Sequence, residues 1–290
     1  MALIRRSMML DISAERAWTA IQEPRLLHHI AYPLQTFEPV DPPKLPATWA
    51  ESRYKVRLRL FGVVPIGEQW IVIGILERGP DRYRMRDDGH GDLVRRWEHR
   101  ITIEVLSSSR CRYTDEVEID AGVLTPLVAA FAPVFFRHRQ RRWRALVASD
   151  FAPLASRSIA MNRTALVSLL DREMIAHGEA RRRGDTAAAW RALERAHIVS
   201  QPMLGRHLRV HAAMLGYAVR LRDGREVLGQ LARLALAPLG ALTGRTPWGN
   251  TGRSNVSAFK PMPPPEDLAA HLRDITTKGL DPLAHARIGS

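Results

Sequence analysis

Apolar and polar positions alternate with period two through most of the first 120 residues and recur at helical spacing from Val123 onward. The alternation predicts strands over residues 3–12, 35–40, 52–60, 69–77, 81–86, 93–105 and 110–120. Ser13 is placed to cap a short helix carrying Ala17, Trp18 and Ile21, although Arg16 stands where a capping box would want Glu. A second short helix is expected over 24–30. Turn signals separate the strands at Pro65-Ile-Gly, Gly79-Pro-Asp, Asp88-Gly-His-Gly and Ser107-Ser-Ser. A long amphipathic helix over 124–148 follows. The order predicts an α+β domain over 1–150, with a curved antiparallel sheet around a long C-terminal helix and a cavity between them.

The second half predicts helices over 164–183, 186–199, 203–222 and 225–236. The breaks at Gly184-Asp185, Gln201-Pro202 and Asp223-Gly224 are short, so neighbours should form antiparallel hairpins. The spacing from Ala180 to Ala196 suits one tetratricopeptide-like helix pair. The expectation is therefore a linker over 151–160 and an all-α helical-hairpin domain over 161–275. That domain contains a Gly/Pro-rich loop over 238–265 and a short helix over 266–275, and a flexible tail covers 276–290.

Composition narrows the classes. With 290 residues and 46% hydrophobic content the chain can build two cores. No apolar run reaches the roughly 18–20 residues of a membrane span, and no signal-type apolar core follows Arg5 and Arg6. The expectation is a soluble, cytoplasmic protein. The single cysteine, Cys111, excludes a disulfide framework and a thiolate-rich zinc site. The net charge of +13 rests on arginine, since only four of 43 basic residues are lysine. Dense runs at Arg137–Arg144 and Arg181–Arg183 fall on expected helices, where solvated faces are common. No helix-turn-helix, zinc finger or stacking platform accompanies the charge, which argues against nucleic acid.

Particular segments carry a family resemblance. Leu60-Phe-Gly-Val-Val-Pro-Ile-Gly67, Asp88-Gly-His-Gly91 with Trp97-Glu-His99, Arg112-Tyr-Thr-Asp-Glu-Val117 and Phe135-Phe-Arg-His-Arg-Gln-Arg-Arg-Trp143 occur in the element order above. In these the first half resembles the START/polyketide-cyclase-like (SRPBCC, helix-grip) superfamily. The resemblance implies a pocket for a hydrophobic or amphiphilic small molecule and no particular reaction. The second half resembles a small bacterial family of unknown function through Ala192-Leu-Glu-Arg-Ala-His197, His207-Leu-Arg-Val-His211 and the stretch from Trp248 to Phe259.

Strand parity nominates chemistry in the first half. Arg95 and His99 share the face of Trp97 and Ile101, and Asp115 shares that of Tyr113 and Val117. Inward charges must find partners, so Asp115, His99 and Arg95 are either a ligand-orienting or acid–base cluster or simply satisfy one another. Tyr54, Leu58, Trp97 and Tyr113 complete the expected ligand wall. In the second half, Glu173 with His177, Glu194 with His197 and His207 with His211 each lie on the apolar stripe of one helix. Such pairs could bind a divalent metal or haem in the bundle; peptide or protein-partner binding and a purely structural use stand beside that. Only one Glu-x-x-His copy exists, which speaks against a dinuclear carboxylate centre. The functions carried forward are small-molecule binding coupled to a partner- or metal-binding helical module, a cyclase- or hydrolase-type enzyme, and a metal or haem redox module.

Overall fold

The computed structural model describes residues 1–155, 157–243 and 247–269. The expected tail and most of the helix expected over 266–275 lie outside them. Two compact units divide the chain, Met1–Leu60 with Val64–Leu154, and Phe61–Val63 with the residues from Ala155 onward. No helix among the described residues is long and apolar enough to cross a membrane.

The first unit runs β1 (Ala2–Leu10), α1 (Ala14–Ile21), α2 (Pro24–Ala31), β2 (Gln35–Asp41), β3 (Arg53–Leu60), β4 (Val64–Arg78), β5 (Arg82–Gly91), β6 (Arg96–Ser107), β7 (Arg110–Asp120) and α3 (Thr125–Ala148). Ser13 caps α1 by accepting from the Arg16 amide, so the missing capping-box glutamate leaves the N-cap intact. The seven strands form one antiparallel sheet in the order β1-β7-β6-β5-β4-β3-β2. α3 packs against β1, β7 and α2, burying Ala132, Phe135, Phe136, Arg139, Trp143 and Leu146 at helical spacing. This is a helix-grip α+β unit, a curved sheet around a long C-terminal helix.

The opposite sheet face explains part of the arginine excess. Glu98 and Glu118 are direct cross-strand neighbours, an arrangement that is repulsive by itself. Arg86, Arg96 and Arg100 all pair with Glu98, while Arg96 and Arg100 also reach Glu118. The lattice holds the Glu98 carboxyl below its usual pKa: burial pushes it up, and the Arg100 and Arg96 guanidiniums more than reverse that.

Two expected turns move. Pro65-Ile-Gly lies inside β4, because the reversal comes earlier, at Phe61 and Gly62, both with positive φ. Asp88-Gly-His-Gly belongs to β5. Gly91 serves close strand approach rather than reversal, since a Cβ there would stand 2.2 Å from the Glu68 carbonyl oxygen. β6 accordingly begins at Arg96 instead of Leu93.

The second unit is helical, with α5 (Arg157–Arg182), α6 (Thr186–Ser200), α7 (Leu204–Arg220) and α8 (Gly224–Thr243); a single turn, α4 (Ala152–Ala155), lies at the division. Residues 151–160, expected as linker, thus hold α4 and the start of α5. Consecutive helices from α5 to α8 pack as neighbours, around Leu166, Leu193, Ile198 and Met214. Asp185 caps α6 by accepting from the Ala188 amide at 2.9 Å. α8 continues through Pro238, so the loop expected from 238 starts later. The proline removes one helical hydrogen bond, but alanine and leucine on both sides favour continuing.

Candidate functional site

In the first unit α3 and the sheet enclose a mainly apolar cavity of about 350 Å³, within the roughly 300–1,000 Å³ of ligand pockets. Leu58, Trp97 and His99 line it, with Phe131 and Phe135 from α3. A deeper space of about 50 Å³ shares Asp87, His99 and Arg139 with it and is walled by Trp49, Tyr113 and Trp143. Polar groups therefore gather at the inner end of an apolar chamber.

Asp115 is 2% exposed and fully engaged. Its Oδ1 accepts from His99 Nε2 at 2.9 Å and from the Tyr113 hydroxyl at 2.7 Å, and its Oδ2 accepts from Gln140 Nε2 at 2.9 Å. Burial would raise its pKa, but the His99 hydrogen bond and the Arg139 charge overcome that and keep it ionised. His99 is shifted down, by burial foremost and against the pull of Asp115, so it is neutral near pH 7. An ionised carboxylate only accepts, so His99 Nε2 carries the hydrogen and Nδ1 is a lone pair with no partner among the described residues. Asp87, directly across the strand from His99, accepts from the Val72 amide at 2.8 Å. Burial pushes its carboxyl up to about 7.

Arg139 is the group the sequence reading missed. It is 6% exposed, faces both spaces, and lies 5.1 and 5.6 Å from the Phe136 and Phe135 ring centres. No hydrogen bond or ion pair holds its guanidinium among the described residues, and Nε is sealed without a partner. Arg95, expected beside His99 and Asp115, is instead exposed in the turn before β6, near Gly122. Because the strand starts at Arg96, the parity that aimed Arg95 inward does not apply. Tyr54 also leaves the expected wall: its hydroxyl bonds the Ala50 backbone and its ring packs on Trp49. Asp115 stands behind His99 and Tyr113 rather than on the cavity surface.

In the second unit His197 on α6 and His207 and His211 on α7 converge, each offering one nitrogen within 4.8 Å of the others, so that together they could hold a metal ion. Ring centres stand 4.4 to 4.7 Å apart. All three imidazoles are shifted down, foremost by burial, His207 to about 3; neighbouring histidines add to this at His197 and His207, while at His211 the Gln230 hydrogen bond opposes it. The loop from Pro247 to Phe259 covers them. Asn250 shapes it, donating to the Ser257 and Lys260 carbonyls and accepting from the Gly252 amide. Gly252 has φ +79°, and a Cβ there would meet the His197 ring at 2.6 Å.

The other expected metal candidates are engaged elsewhere. Glu194 pairs with Arg253 at 3.2 Å, and Arg253 itself lies over the Trp190 ring. Glu173 pairs with Arg195 at 2.8 Å, and His177 bonds the Ala189 carbonyl. Arginines from the loop and from α6 satisfy these carboxylates before an ion could. Sequence reasoning also missed Gln230 and Asn250, whose partners lie 19 and 53 residues away.

The geometry defines a helix-grip unit with a polar-ended cavity and a helical unit with a buried imidazole cluster. Residues 9–147 match the family model described as a domain of unknown function (DUF8410), and residues 164–272 match that described as a protein of unknown function (DUF3703). Among solved structures, a protein from Chromobacterium violaceum aligns at 18% identity over 50% of this chain and 97% of its own, TM-score 0.38. A START superfamily protein from Mycobacterium smegmatis aligns at 16% over 51% and 97%, TM-score 0.35. The Zhui aromatase/cyclase from Streptomyces sp. R1128 aligns at 14% over 51% and 92%, TM-score 0.34. At these scores the fold assignment rests on the sheet, α3 and cavity of this chain itself. No curated protein matches the chain.

Proposed function

We propose that the first unit binds a hydrophobic small molecule carrying an acidic or polarised oxygen, with that oxygen on Arg139 and the apolar body against Trp97, Phe131 and Phe135. One observation carries this: a buried guanidinium opens on a mainly apolar cavity with no hydrogen-bond acceptor of its own among the described residues. A buried guanidinium N–H without an acceptor costs about 1–3 kcal/mol, and an oxygen ligand removes that cost. The helical unit enters this reading as a second module with chemistry of its own.

A second reading has its own observation. His99 has its Nε2–H held by Asp115 and a free Nδ1 lone pair at the cavity. That is the arrangement of a base oriented by a carboxylate, and Arg139 would stabilise the oxyanion formed when His99 takes a proton from the ligand. Asp115 then positions His99 and does not touch the ligand.

The test is calorimetry with two probes of one shape, 2-naphthoate and the uncharged 2-naphthamide. The expected result is preference for the acid, lost in Arg139→Met by about 10- to 150-fold, the worth of a charge-assisted hydrogen bond. Equal affinity for both probes in both proteins would overturn the binding reading. Proton exchange from a bound acidic carbon, abolished in His99→Gln with probe affinity retained, would favour the enzyme.

A further inference from the structure

We infer that His197, His207 and His211 form a site for one late first-row divalent ion, zinc foremost, with its fourth position open to solvent-borne ligands. The first support is where the imidazole hydrogens must sit. His197 Nδ1 stands 2.8 Å from the Asn250 carbonyl oxygen, which can only accept. His211 Nδ1 stands 2.7 Å from Gln230 Oε1. The amide of Gln230 cannot be reversed, because its nitrogen donates to Glu226 Oε1 at 2.7 Å and to the Gly252 carbonyl at 2.8 Å. Both Nδ1 atoms therefore carry hydrogen, and both Nε2 atoms present lone pairs. Those two lone pairs face each other across 3.2 Å with no hydrogen between them.

His207 completes the set. Its Nδ1 is 3.1 Å from Ser200 Oγ, whose hydroxyl donates to the His197 carbonyl at 2.9 Å. Ser200 is thus an acceptor for the His207 Nδ1–H, and the third Nε2 is also a lone pair. Each imidazole has an outer acceptor that fixes its ring and raises its basicity, the usual surroundings of a metal-bound histidine. Nothing in that arrangement is needed to fill a core.

Distance and charge select the ion. Bonds of about 2.0–2.1 Å in tetrahedral geometry put ligand nitrogens about 3.3–3.4 Å apart, close to the His197–His211 separation. Axial haem ligands lie on opposite sides of iron, about 4 Å apart, so the pair is too close for that role. Three neutral nitrogens suit zinc, cobalt, nickel or copper rather than magnesium or calcium. Glu226, 1% exposed and tied to Gln230, Ser254 and Arg253, places one negative charge behind His211. Arg233 faces the same cluster from α8. Its charge opposes a bare cation but favours an anionic or hydroxide fourth ligand. Room for that ligand exists: the histidines open on a cavity of about 260 Å³ bounded by Arg233, Leu236 and Phe259. Three protein ligands with an open position is the plan of a zinc site that activates water or takes an oxygen ligand.

The experiment uses the full chain stripped with chelator and titrated with Zn²⁺ and with Co²⁺. Expected are one equivalent bound and, with Co²⁺, the intense visible bands of four-coordinate cobalt. His211→Ala should abolish stoichiometric binding, while His177→Asn, a buried histidine outside the cluster, should leave it unchanged. Gln230→Leu keeps all three imidazoles and should weaken binding about 10- to 100-fold, so the site remains testable if a histidine variant unfolds. No stoichiometric binding by the wild type, or undiminished binding by both His211→Ala and Gln230→Leu with native circular dichroism, overturns the inference. Uptake of one haem in preference to zinc overturns it too.

Discussion

Replacing Arg139 by methionine separates a binding residue from a structural one, because the two roles predict opposite signs. The side chain is 6% exposed, its Nε is sealed without an acceptor, and what favours it is two aromatic rings at 5.1 and 5.6 Å and the through-space charge of Asp115. Each ring is worth about 0.5–2 kcal/mol to a desolvated cation. Against that stand several kcal/mol for taking the guanidinium out of water and about 1–3 kcal/mol for the orphaned N–H. Asp115 loses a favourable neighbour in the variant but keeps His99, Tyr113 and Gln140. Methionine follows the same path with no polar atom to satisfy. Arg139→Met should therefore match the wild type or exceed it by about 1–4 kcal/mol in urea unfolding at pH 7 without ligand. Loss of more than about 1 kcal/mol would show that the charge holds the fold together, and the cavity would lose its strongest claim to a ligand.

Asp87→Asn tests the second polar group of that cavity. Its folded pKa of about 7 lies above the unfolded value near 3.8, so the folded state holds the proton more tightly. Wild-type stability should then fall as pH rises from about 4 to 7 and level off above, a total of up to about 4 kcal/mol. The variant lacks that slope; parallel urea curves at pH 4.5, 6 and 8 would contradict the assignment. Tyr113→Phe removes one of three hydrogen bonds from ionised Asp115 and should cost about 1.5–3 kcal/mol by thermal unfolding; a smaller loss would mean that Asp115 is protonated. Gly252→Ala puts a Cβ at φ +79° and 2.6 Å from His197, and should cost about 1–3 kcal/mol. A neutral result would mean that the loop moves freely off the cluster.

Local pattern was enough to find the seven strands and the long helix of the first unit, because each strand keeps one face in the core and alternation records that. It failed where a residue type has two uses. Glycines at 89 and 91 look like a turn in sequence, yet they sit in β5 because neighbouring backbone leaves no space for a side chain. That shift carried Arg95 off the strand and out of the cavity. Arg139 was hidden inside a run from Arg137 to Arg144 that looks like a solvated face, although it sits one turn from Phe135 and Phe136 and one turn before Trp143 on the buried stripe. Helical spacing did place His207 and His211 on one side of α7. What it could not supply was the choice among glutamates, since Glu194 and Glu173 are taken by Arg253 and Arg195, partners set only by the fold.

Spare hydrogen-bonding capacity, more than residue type, distinguishes what each unit is built to hold. In the first unit the carboxylate is saturated, with three donors on Asp115, while the guanidinium is left over. A leftover buried guanidinium asks for an acceptor, so the ligand brings oxygen, while the free His99 Nδ1 stays available to take a proton from it. In the second unit the donors are the saturated set: two Nδ1–H groups and the Gln230 amide all have acceptors, and lone pairs are left over. An excess of buried lone pairs asks for a cation. The same imidazoles with their hydrogens turned inward would instead suit an anion, and it is Asn250 and Gln230, not the histidines, that decide which way they turn. Gln230→Glu sharpens this into a test. A carboxylate at that position still accepts from His211 Nδ1 and adds negative charge behind the site, but it sits against Glu226. Zinc binding should then persist and the zinc-free chain should lose stability, a combination that a cluster serving only to fill the core would not produce.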